Sequence, residues 1–124
     1  MTKAITLYGI NNCDTVKKAL KWLNNNTIEH SFYDFKKQPL TSELLTRLVA
    51  LSHWDALLNK RSTSYRNLSD DIKNNLTDEV AFEQVLLQPT LLKRPLLVVQ
   101  SLDDESKVQL HLGFKADTYQ DIFQ

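Results

Sequence analysis

The sequence is poor in residues that form disulfides and tight turns, since its 124 residues include one cysteine, two glycines and three prolines. A single cysteine excludes an internal disulfide and is typical of a reducing compartment. No apolar run approaches the roughly 20 residues that a membrane-spanning helix needs. The first residues, Met1–Ile5, lack the apolar segment of a signal peptide. We therefore expect a cytoplasmic protein that does not bind membranes.

The chain also lacks an excess of charge of either sign, because 15 Lys and Arg residues balance 15 Asp and Glu residues. Without an overall basic field, we expect no direct binding to nucleic acid. One cysteine and three histidines without close spacing predict no metal site, and we expect no tightly bound cofactor. A composition of 42% hydrophobic and 24% charged residues is typical of a globular domain.

The first part of the chain predicts a strand, a helix and a second strand. Ala4–Tyr8 is a short run of β-forming residues that ends at Gly9. From Asp14 the apolar residues follow a helical period, and Asn24–Asn26 should end that helix, since asparagine tolerates the left-handed conformation. Ile28–Phe35 alternates like a strand. A strand, helix and strand within this length predict a parallel pair.

The middle of the chain predicts helices, and the last third predicts a hairpin and a closing helix. Thr41 or Ser42, then Ser69, then Thr77 can begin three helices, whereas Asn59–Asn67 is predicted to be a polar loop. The last third supplies two antiparallel strands and a helix, namely Arg94–Gln100, Lys107–Phe114 and Ala116–Phe123. The order β-α-β, helices, β-β-α is the arrangement of a thioredoxin-like α/β domain with a helical insert.

The single cysteine, Cys13, falls between the first predicted strand and the first predicted helix. In open α/β sheets, ligands bind beyond the carboxyl ends of parallel strands. A helix N-terminus also offers free N–H groups and a partial positive charge, which favour a thiolate. Lys17 and Lys18 add positive charge, while Asp14 opposes it. A buried structural cysteine is the alternative, but the polar context "NNCDT" favours a reactive thiol.

Three stretches of the sequence resemble the ArsC/Spx family, and within it the YffB-like branch. They are "YGINNCDTVKKALKWL", "ALLNKRSTSYRNL", and "LLKRPLLV" followed by "LGF". The resemblance extends over nearly the whole chain and implies a thioredoxin-like (glutaredoxin-like) mixed sheet with an inserted helical subdomain. Residues 1–124 would form one ArsC/Spx-like domain, with the core at about 1–36 and 90–124 and the helical insert at about 40–88.

The resemblance also implies the residues of a site. Cys13 would be the nucleophile, Arg61, Arg94 and Asn12 would bind an anionic substrate, and Pro95 would follow a cis peptide bond beside the cysteine. In the arsenate reductase branch, the cysteine attacks arsenate, glutathione attacks the adduct, and a glutaredoxin completes the cycle. We therefore expect glutathione or another small thiol as co-substrate, with a glutaredoxin as a further candidate partner.

Two branches of the family leave other functions open. Spx proteins bind the RNA polymerase α subunit and sense oxidation through Cys-x-x-Cys, but the positions three before and three after Cys13 hold Ile10 and Val16. Arsenate reductases carry a histidine four positions before the cysteine, where this chain has Gly9, and a third arginine, whereas none follows Arg94 here. The leading hypothesis is a glutathione-dependent thiol reductase. A polymerase-binding regulator without the disulfide switch is the alternative, and a true arsenate reductase is the least favoured.

The remaining aromatic and imidazole side chains have structural interpretations. Trp22 and Trp54 flank helical segments and are interpreted as packing residues rather than a cofactor platform. His30 and His111 lie in predicted strands, where we expect hydrogen-bonded structural histidines.

Overall fold

The computed structural model of the protein describes residues 3–124, so Met1 and Thr2 of the N-terminal stretch lie outside it. The strands are β1 (Lys3–Gly9), β2 (Ser31–Asp34), β3 (Leu96–Ser101) and β4 (Val108–Leu112). The helices are α1 (Asp14–Asn25), α2 (Ser42–Ala50), α3 (Trp54–Leu57), α4 (Thr63–Arg66), α5 (Asp70–Asn74), α6 (Asp78–Leu87) and α7 (Ala116–Ile122), with a 3₁₀ turn at Pro89–Leu91. The predicted order β-α-β, helices, β-β-α is confirmed, but five helices lie between β2 and β3 where three were predicted.

The four strands form one mixed sheet in the order β2-β1-β3-β4. β1 is parallel to β2 and antiparallel to β3, and β3 is antiparallel to β4. Both the parallel pair and the hairpin were predicted, and both are confirmed. β2 is shorter than predicted and begins at Ser31, which is the first residue to pair with β1, opposite Thr6.

The end of α1 differs from the prediction in one detail. The helix stops at Asn25 as expected, but the residue in the left-handed conformation is Thr27, with φ of 56°, rather than an asparagine. The N–H of Ile28 donates to the carbonyl of Leu23 at 3.0 Å, and the N–H of Asn26 donates to that of Trp22 at 3.0 Å. These backbone bonds satisfy the last carbonyls of the helix and set the position of the reversal.

The chain forms two compact units, which we call the sheet unit and the helical unit. The sheet unit combines the chain up to Gln38 with Arg94–Gln124, and the helical unit is Pro39–Lys93. The prediction that these segments belong to one domain with an insert stays a prediction. Among residues 3–124, no helix is both long enough and apolar enough to cross a membrane.

The core of the sheet unit lies between β1, β3, α1 and α7. Its buried members are Ile5, Leu7, Val16, Ala19, Leu23, Leu97, Val99 and Tyr119. Trp22 packs edge-on against Tyr119 with ring centroids 5.6 Å apart, which confirms its interpretation as a packing residue. This core fixes α1 against the face of β1, and so it fixes the loop that joins them.

The helical unit has its own apolar interior and well-capped helices. Its buried side chains include Leu44, Leu45, Leu48, Leu57, Leu58, Ala81, Val85, Leu91 and Leu92. The predicted N-caps are confirmed where Thr41, Ser69 and Thr77 each accept a hydrogen bond from the N–H three residues on. The loop predicted at Asn59–Asn67 is wrong in part, because α4 forms within it, capped by Ser62. A helix of four residues is too short to show a period in the sequence.

Candidate active site

Gly9 is the last residue of β1, and the candidate site lies at this end of the sheet. It pairs with Asp34 at the end of the parallel strand β2, and its carbonyl accepts a hydrogen bond of 2.8 Å from the N–H of Phe35. A Cβ at residue 9 would lie 2.7 Å from Cγ2 of Val16 on α1, closer than atoms can pack. The absence of a side chain at Gly9 therefore allows α1 to begin directly above the end of β1.

Cys13 is the N-cap residue of α1, the position that the sequence predicts. Its φ and ψ are −98° and 124°, its carbonyl accepts a 3.0 Å hydrogen bond from the N–H of Lys17, and its N–H donates to Ile10 at 3.4 Å. The side chain makes no capping hydrogen bond, so the thiol is not engaged with the N–H groups of the first turn. The free N–H groups of a helix N-terminus favour negative charge at this place.

The surroundings of the thiol are mixed rather than wholly polar. Cys13 is half-buried and packs against the core of the sheet unit, while Asn12, Lys17 and Lys18 are exposed. The expectation of a polar context is therefore correct for the neighbours in sequence and incomplete for the neighbours in space. Cys13 is thus only partly buried, whereas a purely structural cysteine is commonly fully buried.

Arg94 and Pro95 lie at the same end of the sheet as Gly9. Leu96 is paired with Tyr8, which places the two preceding residues level with the end of β1. The predicted cis peptide bond between Arg94 and Pro95 is confirmed. Pro95 is buried, and Arg94 is half-buried with its Nε atom enclosed by protein. Arg94 is therefore more enclosed than an ordinary surface arginine, as its position beside an apolar strand suggested.

Gly113, from the "LGF" stretch, holds the cis-proline segment in place. Its N–H donates to the carbonyl of Pro95 at 2.9 Å, and its φ of +76° lies in the region that favours glycine. The phenol of Tyr119 donates to the Gly113 carbonyl at 3.4 Å, and burial raises the pKa of Tyr119. These bonds tie the hairpin and α7 to the segment that carries Arg94.

Arg61, the second predicted anion ligand, belongs to the helical unit. Its side chain is exposed, its N–H donates to Oδ1 of Asn59 at 3.1 Å, and its carbonyl accepts a 2.7 Å hydrogen bond from Nη2 of Arg66. The structure thus brings Asn12, Cys13, Arg94 and Pro95 to one end of the sheet. Arg61 lies in a loop of the helical unit.

Asp34 also lies at this end of the sheet, and the sequence analysis did not identify it as a site residue. It is 5% exposed, and it is the one buried charged side chain among residues 3–124. Its Oδ1 atom accepts a hydrogen bond of 2.9 Å from the N–H of Lys36, while its Oδ2 atom is buried without a hydrogen-bond partner. A carboxylate at the end of a predicted parallel strand, beside the cysteine loop, was the available sign.

The part of the chain that the structure describes shows no group of three or more His, Cys, Asp and Glu side chains placed to hold a metal ion. Nδ1 of His30 donates a 2.8 Å hydrogen bond to the carbonyl of Ile28, and Nε2 of His111 forms one of 3.2 Å with Oε1 of Gln109. Both histidines therefore have the hydrogen bonds expected of structural residues. Burial lowers the pKa of His111.

Comparison with known proteins gives a consistent family. The model of the ArsC family matches residues 8–122. An uncharacterised protein of Haemophilus influenzae is 44% identical over 119 residues, which cover 96% of this chain and 98% of that protein. The global transcriptional regulator Spx of Listeria innocua is 25% identical over 115 residues, which cover 91% of this chain and 82% of that protein.

Solved structures agree with the same fold. The protein YFFB superimposes with a TM-score of 0.82 at 36% identity, over 95% of this chain and 97% of its own. An arsenate reductase (ArsC) related protein from Brucella melitensis superimposes with a TM-score of 0.74 at 38% identity, over 98% of this chain and 95% of its own. The thioredoxin-like α/β fold expected from the sequence is therefore confirmed.

Proposed function

The chain belongs to the ArsC family, and from that premise we propose that it is a glutathione-dependent thiol reductase with Cys13 as its nucleophile. The observation that carries the proposal is the half-buried Cys13 at the N-cap of α1, with no capping hydrogen bond to its side chain. A nucleophilic thiol must be reachable and must react as its anion. The partial exposure of Cys13 and its place at a helix N-terminus, which favours negative charge, support this role.

The reaction would proceed through one mixed disulfide, because the chain has a single cysteine. The Cys13 thiolate attacks a disulfide between a substrate thiol and glutathione, the old S–S bond breaks, and the substrate leaves as a thiol after taking up a proton. A second glutathione thiolate then attacks the new disulfide and departs as oxidised glutathione, which restores Cys13. Overall, the mixed disulfide and one glutathione thiol become the substrate thiol and oxidised glutathione, so the substrate sulfur is reduced and the sulfur of the incoming glutathione is oxidised.

Arginines would hold the carboxylates of glutathione during this exchange. Arg94 is half-buried at the same end of the sheet as Cys13. A guanidinium group can bind a carboxylate through two parallel hydrogen bonds. Asn12 and Pro95 lie at the same end of the sheet, and they would contribute amide and backbone contacts to glutathione. The resemblance implies that the exposed Arg61 is a further ligand of the anionic substrate.

Mass spectrometry after exposure to oxidised glutathione tests the proposal. We expect one glutathionyl group on Cys13 that reduced glutathione removes, and we expect Arg94→Gln and Arg61→Gln to slow both steps by about tenfold, as loss of a charge-assisted hydrogen bond implies. Arg47→Gln, which removes an exposed arginine near the end of α2, is the matched control and should leave both rates unchanged. Absence of an adduct in the folded protein would exclude the mechanism.

A second candidate, a transcriptional regulator that binds the RNA polymerase α subunit, is favoured by the likeness to Spx over 91% of the chain. Such a regulator would work without an internal disulfide, because Ile10 and Val16 are buried apolar residues where a second cysteine would be needed. Retention of the protein on the immobilised carboxyl-terminal domain of the α subunit would support this function. A protein that is only an enzyme should pass through the column.

Arsenate reduction is the third candidate, and the site is less suited to it. The histidine that arsenate reductases carry would replace Gly9, where even a Cβ would collide with Val16. Arsenate-dependent turnover with glutathione and a glutaredoxin, measured beside the disulfide assay, separates this activity from the proposed one.

A further inference from the structure

Helix α6 has more apolar surface than its buried side accounts for. Ala81 and Val85 are buried in the helical unit, yet Phe82 is only half-buried and Leu87 is 75% exposed. A helix that is apolar on more than one side normally packs against a neighbour on each of them. The half-buried Phe82, outside the buried side of α6, therefore points to a further contact.

A groove beside α6 includes Phe82 but not Leu87. It measures about 550 Å³ and lies wholly within the helical unit, with Thr46 and Val49 of α2, Trp54 of α3 and Phe82 of α6 among its walls. The sequence interpretation made Trp54 a packing residue, but the structure leaves it half-buried in the wall of this groove. Tryptophan and phenylalanine are enriched at protein interfaces, and tryptophan is among the residues that most often dominate their energetics.

The rim of the groove has one sign of charge. The ionisable residues that line it, within the described range, are Asp78, Glu79 and Glu83, and all three are exposed acids. The dipole of α6 accounts for Asp78 and Glu79, which occupy its first turn. It does not account for Glu83, which stands four residues after Glu79, a spacing at which like charges destabilise an isolated helix.

We propose that this groove binds a basic amphipathic segment of a partner protein. An apolar side chain of that segment would enter between Trp54 and Phe82, and its lysines or arginines would lie against Glu79 and Glu83. The acidic residues around the groove favour a basic ligand, because they would repel nucleic acids and anionic membranes. A second copy of this chain, docked through the same groove, would bring the same acids together. The proposal does not involve Cys13 and is independent of the thiol chemistry.

A labelled probe peptide tests the proposal on the whole protein. The probe is a synthetic helix of about 14 residues with leucines at positions i, i+3, i+4 and i+7 and lysines elsewhere, and the control peptide replaces each lysine with glutamate. We expect the lysine peptide to raise fluorescence anisotropy on binding, and its affinity to fall as salt is added. In a Trp22→Phe variant, Trp54 is the sole tryptophan, and its emission should shift to shorter wavelength.

Matched variants locate the binding. Glu83→Gln should weaken the lysine peptide by about 2- to 5-fold, in the range of an exposed charge pair, whereas Glu43→Gln, an exposed acid at the start of α2, should not. Trp54→Ala should weaken it by about tenfold or more, with circular dichroism as the check on folding. Equal binding of both peptides, equal affinities of the Glu83 and Glu43 variants, or no binding at all would overturn the proposal. So would a dimer that Trp54→Ala dissociates, which would make a second copy the occupant.

Discussion

Val16 of α1 occupies the space that a side chain at Gly9 would need. A Cβ built on Gly9 would lie 2.7 Å from Cγ2 and 3.4 Å from Cγ1 of Val16, which is itself fully buried. The glycine is therefore required by the close approach of helix and strand rather than by its backbone angles. This contact sets where α1 starts, and so it sets where Cys13 stands.

Gly9→Ala should destabilise the protein. Forcing a methyl group into a packed contact costs about 1–3 kcal/mol, and the entropic gain of replacing glycine with alanine returns only about 0.4–1 kcal/mol. The midpoints of these two ranges give an expected net loss of about 1.3 kcal/mol in the free energy of unfolding, measured by urea denaturation. An unchanged or greater stability would show that Val16 moves aside at little cost.

Two further variants separate crowding from backbone strain. Adding Val16→Ala to Gly9→Ala should return part of the loss, because it removes the side chain that the new methyl group meets. Gly113→Ala should also destabilise, by about 1 kcal/mol or more, since its φ of +76° is strained for alanine although no atom lies within 4 Å. Val16→Ala should not rescue that variant.

Cys13→Ser should abolish glutathionylation and leave the protein as stable or more stable. Serine at an N-cap accepts a hydrogen bond from the second or third N–H of the helix, whereas Cys13 makes no such bond. We expect a gain of about 0.5–1 kcal/mol over cysteine, measured by urea denaturation. Cys13→Ala, which also removes the sulfur but cannot cap, should be about 1 kcal/mol less stable than the serine variant. A large loss in Cys13→Ser would instead identify the sulfur as a core-packing group.

Asp34→Ala should be more damaging than Asp34→Asn. Asparagine keeps an acceptor for the N–H of Lys36 and removes a buried charge, whereas alanine leaves that N–H without its 2.9 Å bond. We expect the alanine variant to lose about 1–3 kcal/mol and the asparagine variant to lose less, in thermal and urea unfolding. Glu29→Ala, at an exposed position of the same unit, is the control and should change little. Equal losses in the two Asp34 variants would mean that the Lys36 bond contributes nothing.

His111 should make the protein less stable as the medium is acidified. Because burial lowers the pKa of His111 in the folded state, the unfolded chain binds its proton more readily. The free energy of unfolding should therefore fall as pH drops below the ordinary histidine value of about 6.5. Carboxylates also titrate toward acid pH, so the informative quantity is the difference between wild type and His111→Gln. We expect a smaller decline from pH 7.5 to 5.0 in the variant, and parallel curves would contradict the assignment.

Regular segments were predictable from the sequence because their periods are local. The alternation in β3 and β4, the helical period of α1 and the capping residues Thr41, Ser69 and Thr77 each signal an element within a few residues. The four-residue helices α3 and α4 gave no period and were missed. The start of β2 was misplaced, since pairing with Thr6 and not local pattern decides where the strand begins.

The sequence predicted only those features of the candidate site that depend on residues close together in the chain. The sequence by itself determined that one thiol stands between a strand and a helix, and that an arginine precedes a proline at an apolar strand. Only the tertiary structure decided that Asp34 is buried, that Gly9 must lack a side chain, and that Trp54 and Glu83 line one groove. The physical reason is that burial and steric fit depend on residues distant in sequence. Helical period and capping, by contrast, depend on neighbours three or four positions away.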